Sequence, residues 1–209
     1  MINNSIEKAI NIQKNNHFFG LFQDIYTLVY CLSIIPIVLY NLYFQTNIIN
    51  WKIDLFSYIY FIITGIIKLY YLEYNFLLHH IICIGLIWIG NYNYNINYYL
   101  WLSKCYLAEI SNIFLSGKNI LRTLRIKGII KTKSYENIND ILFILTYFVI
   151  RIFYLLPNTL VYLYLNSKSE IKFNYLEFIT INVLLMGGLN LYWSYLIIVK
   201  IIKTYNKKV

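Results

Sequence analysis

Charged residues are scarce in this sequence. They make up 13% of its 209 residues, whereas 59% are hydrophobic, and the mean hydropathy is +0.56. A soluble domain carries about 25% charged residues and cannot bury this much apolar surface. The composition therefore excludes a soluble globular domain and predicts a single-domain protein whose apolar surface faces membrane lipid.

Paired cysteines, glycine-rich loops and nucleophile motifs are also missing. The cysteines Cys31, Cys83 and Cys105 lie in apolar segments without paired spacing, which indicates small buried side chains and no disulfide framework. No glycine-rich phosphate loop, dinucleotide motif or Ser/His/Asp signature occurs. The ligand spacing of zinc or di-iron helices is absent as well, so no metal site is predicted.

The sequence contains a series of long apolar runs instead. The first is too long for a cleavable signal peptide and is expected to stay as a membrane anchor. The predicted fold class is all-α, a polytopic transmembrane helical bundle, with an interfacial segment at 1–20, a membrane domain at 21–205 and a tail at 206–209. Its six predicted spans are 21–44, 53–72, 75–90, 98–116, 138–165 and 175–199.

The basic residues predict an orientation in the membrane. Of the 18 Lys and Arg residues, 13 fall on the side that holds both termini, 3 on the other side and 2 within spans. Because basic loops stay in the cytosol, both termini are predicted to be cytosolic. The densest basic group, at 118–133, is opposed only by Glu136 and Asp140. We expect this loop to bind anionic lipid headgroups or coenzyme phosphates, and no nucleic acid.

Two polar insertions interrupt the apolar runs, the adjacent His79 and His80 in the third span and Glu109 in the fourth. Such groups are costly in hydrocarbon unless paired or hydrated, so they are candidates for function. At about 1.5 Å per residue, the histidines lie roughly 6–8 Å and Glu109 roughly 10 Å below the cytosolic face. The short link at 91–97 makes the two spans neighbours. We therefore predict that imidazole and carboxylate meet in an intramembrane polar pocket.

Interpretations in which these residues have only a structural role remain open. Arg151 lies deep in the fifth span and needs a counter-charge, and Glu109 is the only acidic residue clearly within a predicted span. An Arg151–Glu109 ion pair would explain both charges, and the histidines could simply be an interhelical hydrogen-bonded pair that fixes packing. Asn112, which lies one turn beyond Glu109, is predicted to contact ligand together with Arg151, Asn190 and Lys104.

Four sequence blocks, in this order, resemble the TLC-domain family, which contains ceramide synthases and translocating-chain-associating membrane proteins. Together the blocks cover roughly residues 21–205. The first block, LHHI at 78–81, is similar to the family's double histidine, and the second, LAEISNIF at 107–114 with KN at 118–119, is similar to its motif LxExSxxFxxxR. The third block, FVIRIF at 148–153 followed by Pro157, is similar to FFxxRxxxxP, and the fourth, LNLYW at 189–193, is similar to LNxxWF.

The resemblance implies a TLC-like bundle of about six helices around a polar cavity, in endoplasmic reticulum or related membranes. In ceramide synthases the paired histidines serve acyl transfer from acyl-coenzyme A to a sphingoid base. Carried over, His79 or His80 would be the general base or transient acyl acceptor, oriented by Glu109. Acyl-coenzyme A would be the substrate, with its phosphates at the 118–133 loop, and no certain cofactor is implied.

Departures from the family pattern separate this chain from the ceramide synthases. Their D-x-x-D pair corresponds to Glu109 and Asn112 here, and Thr64 stands where many small relatives have an aspartate. With fewer carboxylates, the favoured function is lipid or acyl-chain handling in a role in lipid homeostasis or regulation, as in the small uncharacterised branch. A ceramide-synthase-like acyltransferase is the alternative, and a structural membrane protein without a ligand is a third.

Overall fold

The computed structural model describes residues 17–44, 51–92, 96–167 and 173–206, which are helical almost throughout. No strand occurs in these ranges, which confirms the all-α prediction. The helices are α1 (His17–Phe44), α2 (Trp51–Tyr70), α3 (Tyr74–Tyr92), α4 (Ile96–Tyr106), α5 (Glu109–Ile126), α6 (Ser134–Thr146), a π-helical segment (Tyr147–Leu155), α7 (Leu156–Ser167) and α8 (Phe173–Asn206). The predicted segment 1–20 and tail 206–209 lie almost entirely outside the described residues.

Three of these helices are long and apolar enough to cross a membrane, judged by length and composition. They are Gly20–Phe44, Ser134–Leu165 and Glu177–Lys203, and a shorter apolar helix covers Tyr74–Ile89. The large number of exposed leucine, isoleucine, phenylalanine and tyrosine side chains along them is expected of a surface in contact with lipid. The protein is thus a membrane-spanning helical bundle, and its helices fall on the six predicted spans.

The predicted fourth span, 98–116, is wrong in one respect, because it is two helices and not one. Helix α4 ends at Tyr106 and α5 begins at Glu109. Between them the backbone tightens, with N–H groups donating to carbonyls three residues back, such as Ile110 to Leu107 at 3.1 Å and Ser111 to Ala108 at 3.2 Å. This tightening lies directly before the predicted site residue Glu109.

The predicted fifth span is one continuous helix from Ser134 to Ser167 with a widened centre, the π-helical segment. Pro157 follows that segment by two residues. A proline has no N–H to donate, and its ring crowds the carbonyl four residues earlier, here that of Phe153. Widening the preceding turns accommodates this crowding, and π-helical turns occur frequently at functional sites. Arg151 lies in the middle of the segment and is buried.

The packing of the helices leaves space near the predicted site. Helix α1 packs against α4 and α5, α2 against α3, α3 against α8, and α5 against α6. Stacked rings hold α1 to α2, with the centroids of Tyr30 and Tyr60 3.7 Å apart and the Tyr30 hydroxyl donating to Ser57 at 3.1 Å. The histidine helix α3 contacts α4, the first half of the predicted fourth span, which confirms that these two spans are neighbours, and side chains of α3 and α5 line a common cavity.

One end of the bundle carries the α2–α3 turn, the α5–α6 loop and the C-terminal part of α8; we call it the basic end. At its α2–α3 turn, Lys68 and Glu73 form an ion pair of 2.6 Å. Both carboxylates predicted to oppose the basic loop are engaged, Asp140 with Lys118 at 2.5 Å and Glu136 with Arg125. Of the six basic residues at 118–133, the four that form no ion pair in the described part of the chain are Arg122, Lys127, Lys131 and Lys133.

Candidate functional site

An apolar cavity of about 390 Å³ lies inside the bundle, between α3, α4, the start of α5, the π-helical segment with α7, and α8. Most of its wall is aliphatic or aromatic. The polar or ionisable side chains that reach it are few, and five of them are predicted site residues or their neighbours: His79, Cys83, Glu109, Arg151 and Asn190. A few polar groups placed on a mostly apolar wall are typical of ligand pockets.

A second cavity, of about 350 Å³, lies on the side of the basic end. Its wall is much more polar and contains side chains from the first turns of α1, the α2–α3 turn and the middle of α5. These are Gln23, Asp24, Lys68, Glu73, Asn112 and Asn119. His80 lines this polar cavity, whereas it does not line the apolar one.

The two cavities share a boundary formed by Phe61, His79 and Arg151, each of which lines both. Phe61 packs edge-on against His80, with ring centroids 5.5 Å apart. Trp193 packs edge-on against His79 at 5.6 Å. The boundary is therefore a layer of rings around one guanidinium, with an apolar space on one side and a polar space on the other.

The guanidinium of Arg151 is held by four acceptors. Its Nε donates to the hydroxyl of Ser111 at 2.9 Å, and Nη1 donates to Oδ1 of Asn190 at 3.4 Å. Nη2 donates to the Ala108 carbonyl at 3.1 Å and to Oδ1 of Asn112 at 3.0 Å. The third bond is made at the tight turn between α4 and α5, where the Ala108 carbonyl also accepts from the backbone N–H of Ser111 at 3.2 Å.

Glu109 and Arg151 are connected indirectly, through the side-chain amide of Asn112. That amide donates from Nδ2 to Oε2 of Glu109 at 2.8 Å and accepts from Arg151 at its Oδ1. The Cys31 thiol also donates to the Glu109 carboxyl, at 3.5 Å. The predicted contact between Glu109 and a histidine is wrong, because neither imidazole bonds to it in the described ranges, and the alternative ion pair is replaced by this amide bridge.

Each histidine bonds to groups that define where its hydrogen lies. His79 Nδ1 lies 3.2 Å from the sulfur of Met186, and its Nε2 lies 3.7 Å from the Cys83 sulfur. His80 Nδ1 lies 2.5 Å from the carbonyl of Phe76. Thioethers and carbonyls only accept hydrogen bonds, so Nδ1 carries the hydrogen in both rings. The Nε2 of His80 has no hydrogen-bond partner in the described part of the chain and is the atom available to a ligand.

The other predicted ligand contacts divide between the cavities. Asn112 lines the polar cavity and Asn190 the apolar one. Lys104 lines neither; its Nζ donates to Oδ1 of Asn158 at 3.0 Å, which joins α4 to α7. No group of three or more His, Cys, Asp or Glu side chains that could hold a metal is found in the described ranges.

Sequence reasoning missed several members of the site. Ser111 and Tyr147 both support Arg151, the latter with its ring 5.4 Å from the guanidinium. Tyr147 precedes Arg151 by one turn on the same helix face, a spacing that could have identified it. Asp54 was also missed as a buried acid. It is 3% exposed, and its Oδ1 has no hydrogen-bond partner in the described ranges.

One part of the wall of the apolar cavity is thin. Leu160 on α7, with Leu184 and Leu191 on α8, line the cavity, yet they are 56%, 64% and 55% exposed. Gly187 lies at the same place, and a Cβ there would lie 3.9 Å from Cδ1 of Leu156. These leucines therefore lie both on the cavity wall and at the outer surface between α7 and α8.

Comparison with known proteins is consistent with this architecture. The family model described as the TLC domain matches residues 15–199, which contain the boundary residues and all the bonds of Arg151 described above. No curated protein and no solved structure matches the chain. The family match covers most of the sequence, and this membrane-spanning chain belongs to the TLC-domain family.

Proposed function

We propose that the protein binds a membrane lipid or fatty acyl chain in the apolar cavity, with the polar end of the ligand in the polar cavity. The main support for this proposal is that a mostly apolar cavity and a more polar cavity adjoin at Phe61, His79 and Arg151. An amphipathic ligand needs such a pair of spaces. The volume of about 390 Å³ lies within the roughly 300–1,000 Å³ typical of ligand pockets.

Arg151 is the residue best placed to hold the polar end of the ligand. A guanidinium has five N–H groups, and the four bonds described above leave one on Nη1 without a partner in the described ranges. That group can donate to a carboxylate, carbonyl or phosphate oxygen. Since the other four bonds hold the plane of the guanidinium, little entropy is lost when a ligand binds.

The test is native mass spectrometry of the purified protein, to detect and identify lipid that remains bound. Gly187→Leu adds a side chain between α7 and α8 at the cavity wall and should abolish retention of the lipid. Gly20→Leu is the matched control, because a Cβ at Gly20 meets nothing within 4 Å and Gly20 lines neither cavity. Wild-type protein that carries no lipid, or equal retention in the Gly187 variant, would refute lipid binding in this cavity.

Acyl transfer is the second candidate, favoured by the unpartnered Nε2 of His80 in the polar cavity. In this reaction an amine attacks the carbonyl carbon of an acyl-coenzyme A, the carbon–sulfur bond breaks, and the thiolate leaves. His80, or His79 at the boundary, would take the amine proton and return it to the departing sulfur. Arg151 borders the same space and would stabilise the charge on the carbonyl oxygen.

Expression in cells with a low endogenous ceramide content tests this second candidate. A new acyl amide should accumulate with wild-type protein and fall by at least about a hundredfold with His80→Gln or His79→Gln, since general-base catalysis contributes about 10²–10⁴. Lys104→Gln is the control, because Lys104 lines neither cavity. An unchanged lipid profile with wild-type protein rules out the acyltransferase.

The basic end is proposed to face the cytosol, in the endoplasmic reticulum or a related membrane. The four cations of the 118–133 group that form no ion pair in the described ranges favour the side where anionic headgroups, or the phosphates of a coenzyme, are available. A tag fused to the C-terminus should then be digested by protease when only the plasma membrane is permeabilised. A tag that stays protected would reverse the orientation.

A further inference from the structure

Cys83 and His79 form a thiol–imidazole pair on the wall of the apolar cavity. They lie four residues apart on α3, so their side chains project from the same face of the helix. The sulfur of Cys83 lies 3.7 Å from Nε2 of His79, and both side chains line the apolar cavity. A thiol beside an imidazole is an arrangement in which the imidazole can activate the sulfur as a nucleophile.

The hydrogen bonds of His79 give its ring the tautomer that this chemistry needs. Nδ1 lies 3.2 Å from the sulfur of Met186 on α8, and a thioether only accepts a hydrogen, so Nδ1 carries it. Nε2 is then a lone-pair acceptor next to the Cys83 thiol. The ring is also held by Trp193, which packs edge-on against it. Met186 therefore orients the base, as the third member of a catalytic triad does.

Arg151 supplies a donor that would polarise a carbonyl near this thiol. It lines the apolar cavity together with the thiol–imidazole pair and is 3% exposed. One N–H on its Nη1 has no partner in the described ranges. A carbonyl under attack gains negative charge on its oxygen, and a preorganised donor stabilises that charge. The nucleophile, its base and this donor thus border the same apolar space.

The other two cysteines lack this environment. Cys105 on α4 lines the same cavity, but no imidazole of the described residues bonds to it. Cys31 is buried, donates to the Glu109 carboxyl at 3.5 Å and lines neither cavity. If nearness to a bound acyl chain were enough for reaction, Cys105 would react as readily as Cys83. The three cysteines therefore provide a comparison within one chain.

We propose that Cys83 is an acyl acceptor, which takes a fatty acyl group from an acyl thioester such as acyl-coenzyme A. This inference rests on the proposed binding of an acyl chain in the apolar cavity and adds the chemical class of the ligand. The Cys83 sulfur attacks the carbonyl carbon while Nε2 of His79 takes the thiol proton. The carbon–sulfur bond of the ligand breaks, and the departing thiolate receives that proton. One thioester replaces another, so no oxidant or further co-reactant is needed.

The experiment incubates the purified full-length protein with palmitoyl-coenzyme A that carries an alkyne at the end of its chain. After denaturation, a fluorophore coupled to the alkyne measures the covalent label, and peptide mapping by mass spectrometry locates it. Wild-type protein should carry the label on Cys83. Neutral hydroxylamine should remove this label, because it cleaves thioesters.

Two substitutions test the roles of the pair. Cys83→Ser nearly preserves the size of the side chain and should leave no label that hydroxylamine removes. His79→Gln should slow labelling by at least about a hundredfold, since a positioned general base contributes about 10²–10⁴. Lys104→Gln is the matched control, because Lys104 lines neither cavity, and it should be labelled at the wild-type rate.

Native mass spectra of the same wild-type sample separate this inference from the proposed function. Non-covalent lipid without a label on Cys83 overturns the inference alone, whereas neither lipid nor label refutes both. A label shared equally with Cys105 and Cys31, or a hydroxylamine-labile label that persists in Cys83→Ser, would indicate spontaneous acylation and overturn the inference. Labelling of His79→Gln at the wild-type rate would overturn it as well. If His79→Gln does not fold, the location of the wild-type label and Cys83→Ser decide.

Discussion

The amide bridge through Asn112 predicts that Glu109 and Arg151 are energetically coupled although they are not in direct contact. Arg151 is 3% and Glu109 4% exposed. Arg151→Leu removes the donor from four acceptors, including the Asn112 side chain. Glu109→Gln keeps the size of the side chain but removes its charge. Breaking a buried charge pair from either side costs about 3–5 kcal/mol, so each single variant should be strongly destabilised.

The double variant should be less destabilised than the sum of the two single variants. Residues in one hydrogen-bond network show coupling of about 0.5–3 kcal/mol. For a chain of 209 residues, 1 kcal/mol shifts Tm by about 2–4 °C. Each single variant should therefore unfold roughly 6–20 °C lower. The assay is thermal unfolding in one detergent, followed by intrinsic tryptophan fluorescence, for wild type, both single variants and the double variant.

Lys104→Leu supplies the control cycle with Arg151→Leu. Within the described residues Lys104 bonds to Asn158 alone, and Asn158 lies seven residues, about 10 Å, along the helix from Arg151. Those two substitutions should be additive within about 0.5 kcal/mol. If Glu109→Gln and Arg151→Leu are additive to the same tolerance, the Asn112 bridge does not transmit charge coupling, and the reasoning is refuted.

Two backbone predictions concern the turns and helix contacts that support the site. Leu72→Gly should raise Tm by up to about 6 °C. Leu72 has a φ of 59° that costs an L-residue about 1–2 kcal/mol, and the greater chain entropy of glycine offsets about 0.5–1 kcal/mol of the gain; a lower Tm in the same assay would contradict this. Gly117→Ala should destabilise by about 1–3 kcal/mol, since its Cβ would lie 3.1 Å from Oδ1 of Asn139, whose Nδ2 donates to Phe114. Gly20→Ala, with open space around it, should stabilise by about 0.5–1 kcal/mol, so equal effects of the two substitutions would refute the close-contact argument.

The location of the site could be predicted from the sequence because charge is costly inside a membrane. His79, Glu109 and Arg151 stood out against apolar runs, and the positions of the runs placed His79 and Glu109 at similar depth and Arg151 deeper. The structure brings all three to one cavity. Family resemblance added the order of the blocks, and the family match confirms it.

The bonding within the site could not be predicted. Nothing in the sequence around Leu107 and Ala108 breaks a helix, since neither glycine nor proline occurs there, yet the Ala108 carbonyl accepts from Arg151. The partners of His79 are sulfur atoms of Cys83 and Met186, residues that composition treats as packing. Asp54 was overlooked because it lies near the start of α2, where a carboxyl is expected to be hydrated, but it is buried.

The thin wall between α7 and α8 affects the exchange of any guest. A chain that leaves past Leu160, Leu184 and Leu191 passes from one hydrocarbon environment directly into another, so no methylene is exposed to water on the way. The barrier to release is then set by the rearrangement of three leucine side chains and not by hydration. The lipid that occupies the cavity should consequently depend on the composition of the surrounding bilayer. A change in that composition would change the bound lipid without any soluble carrier.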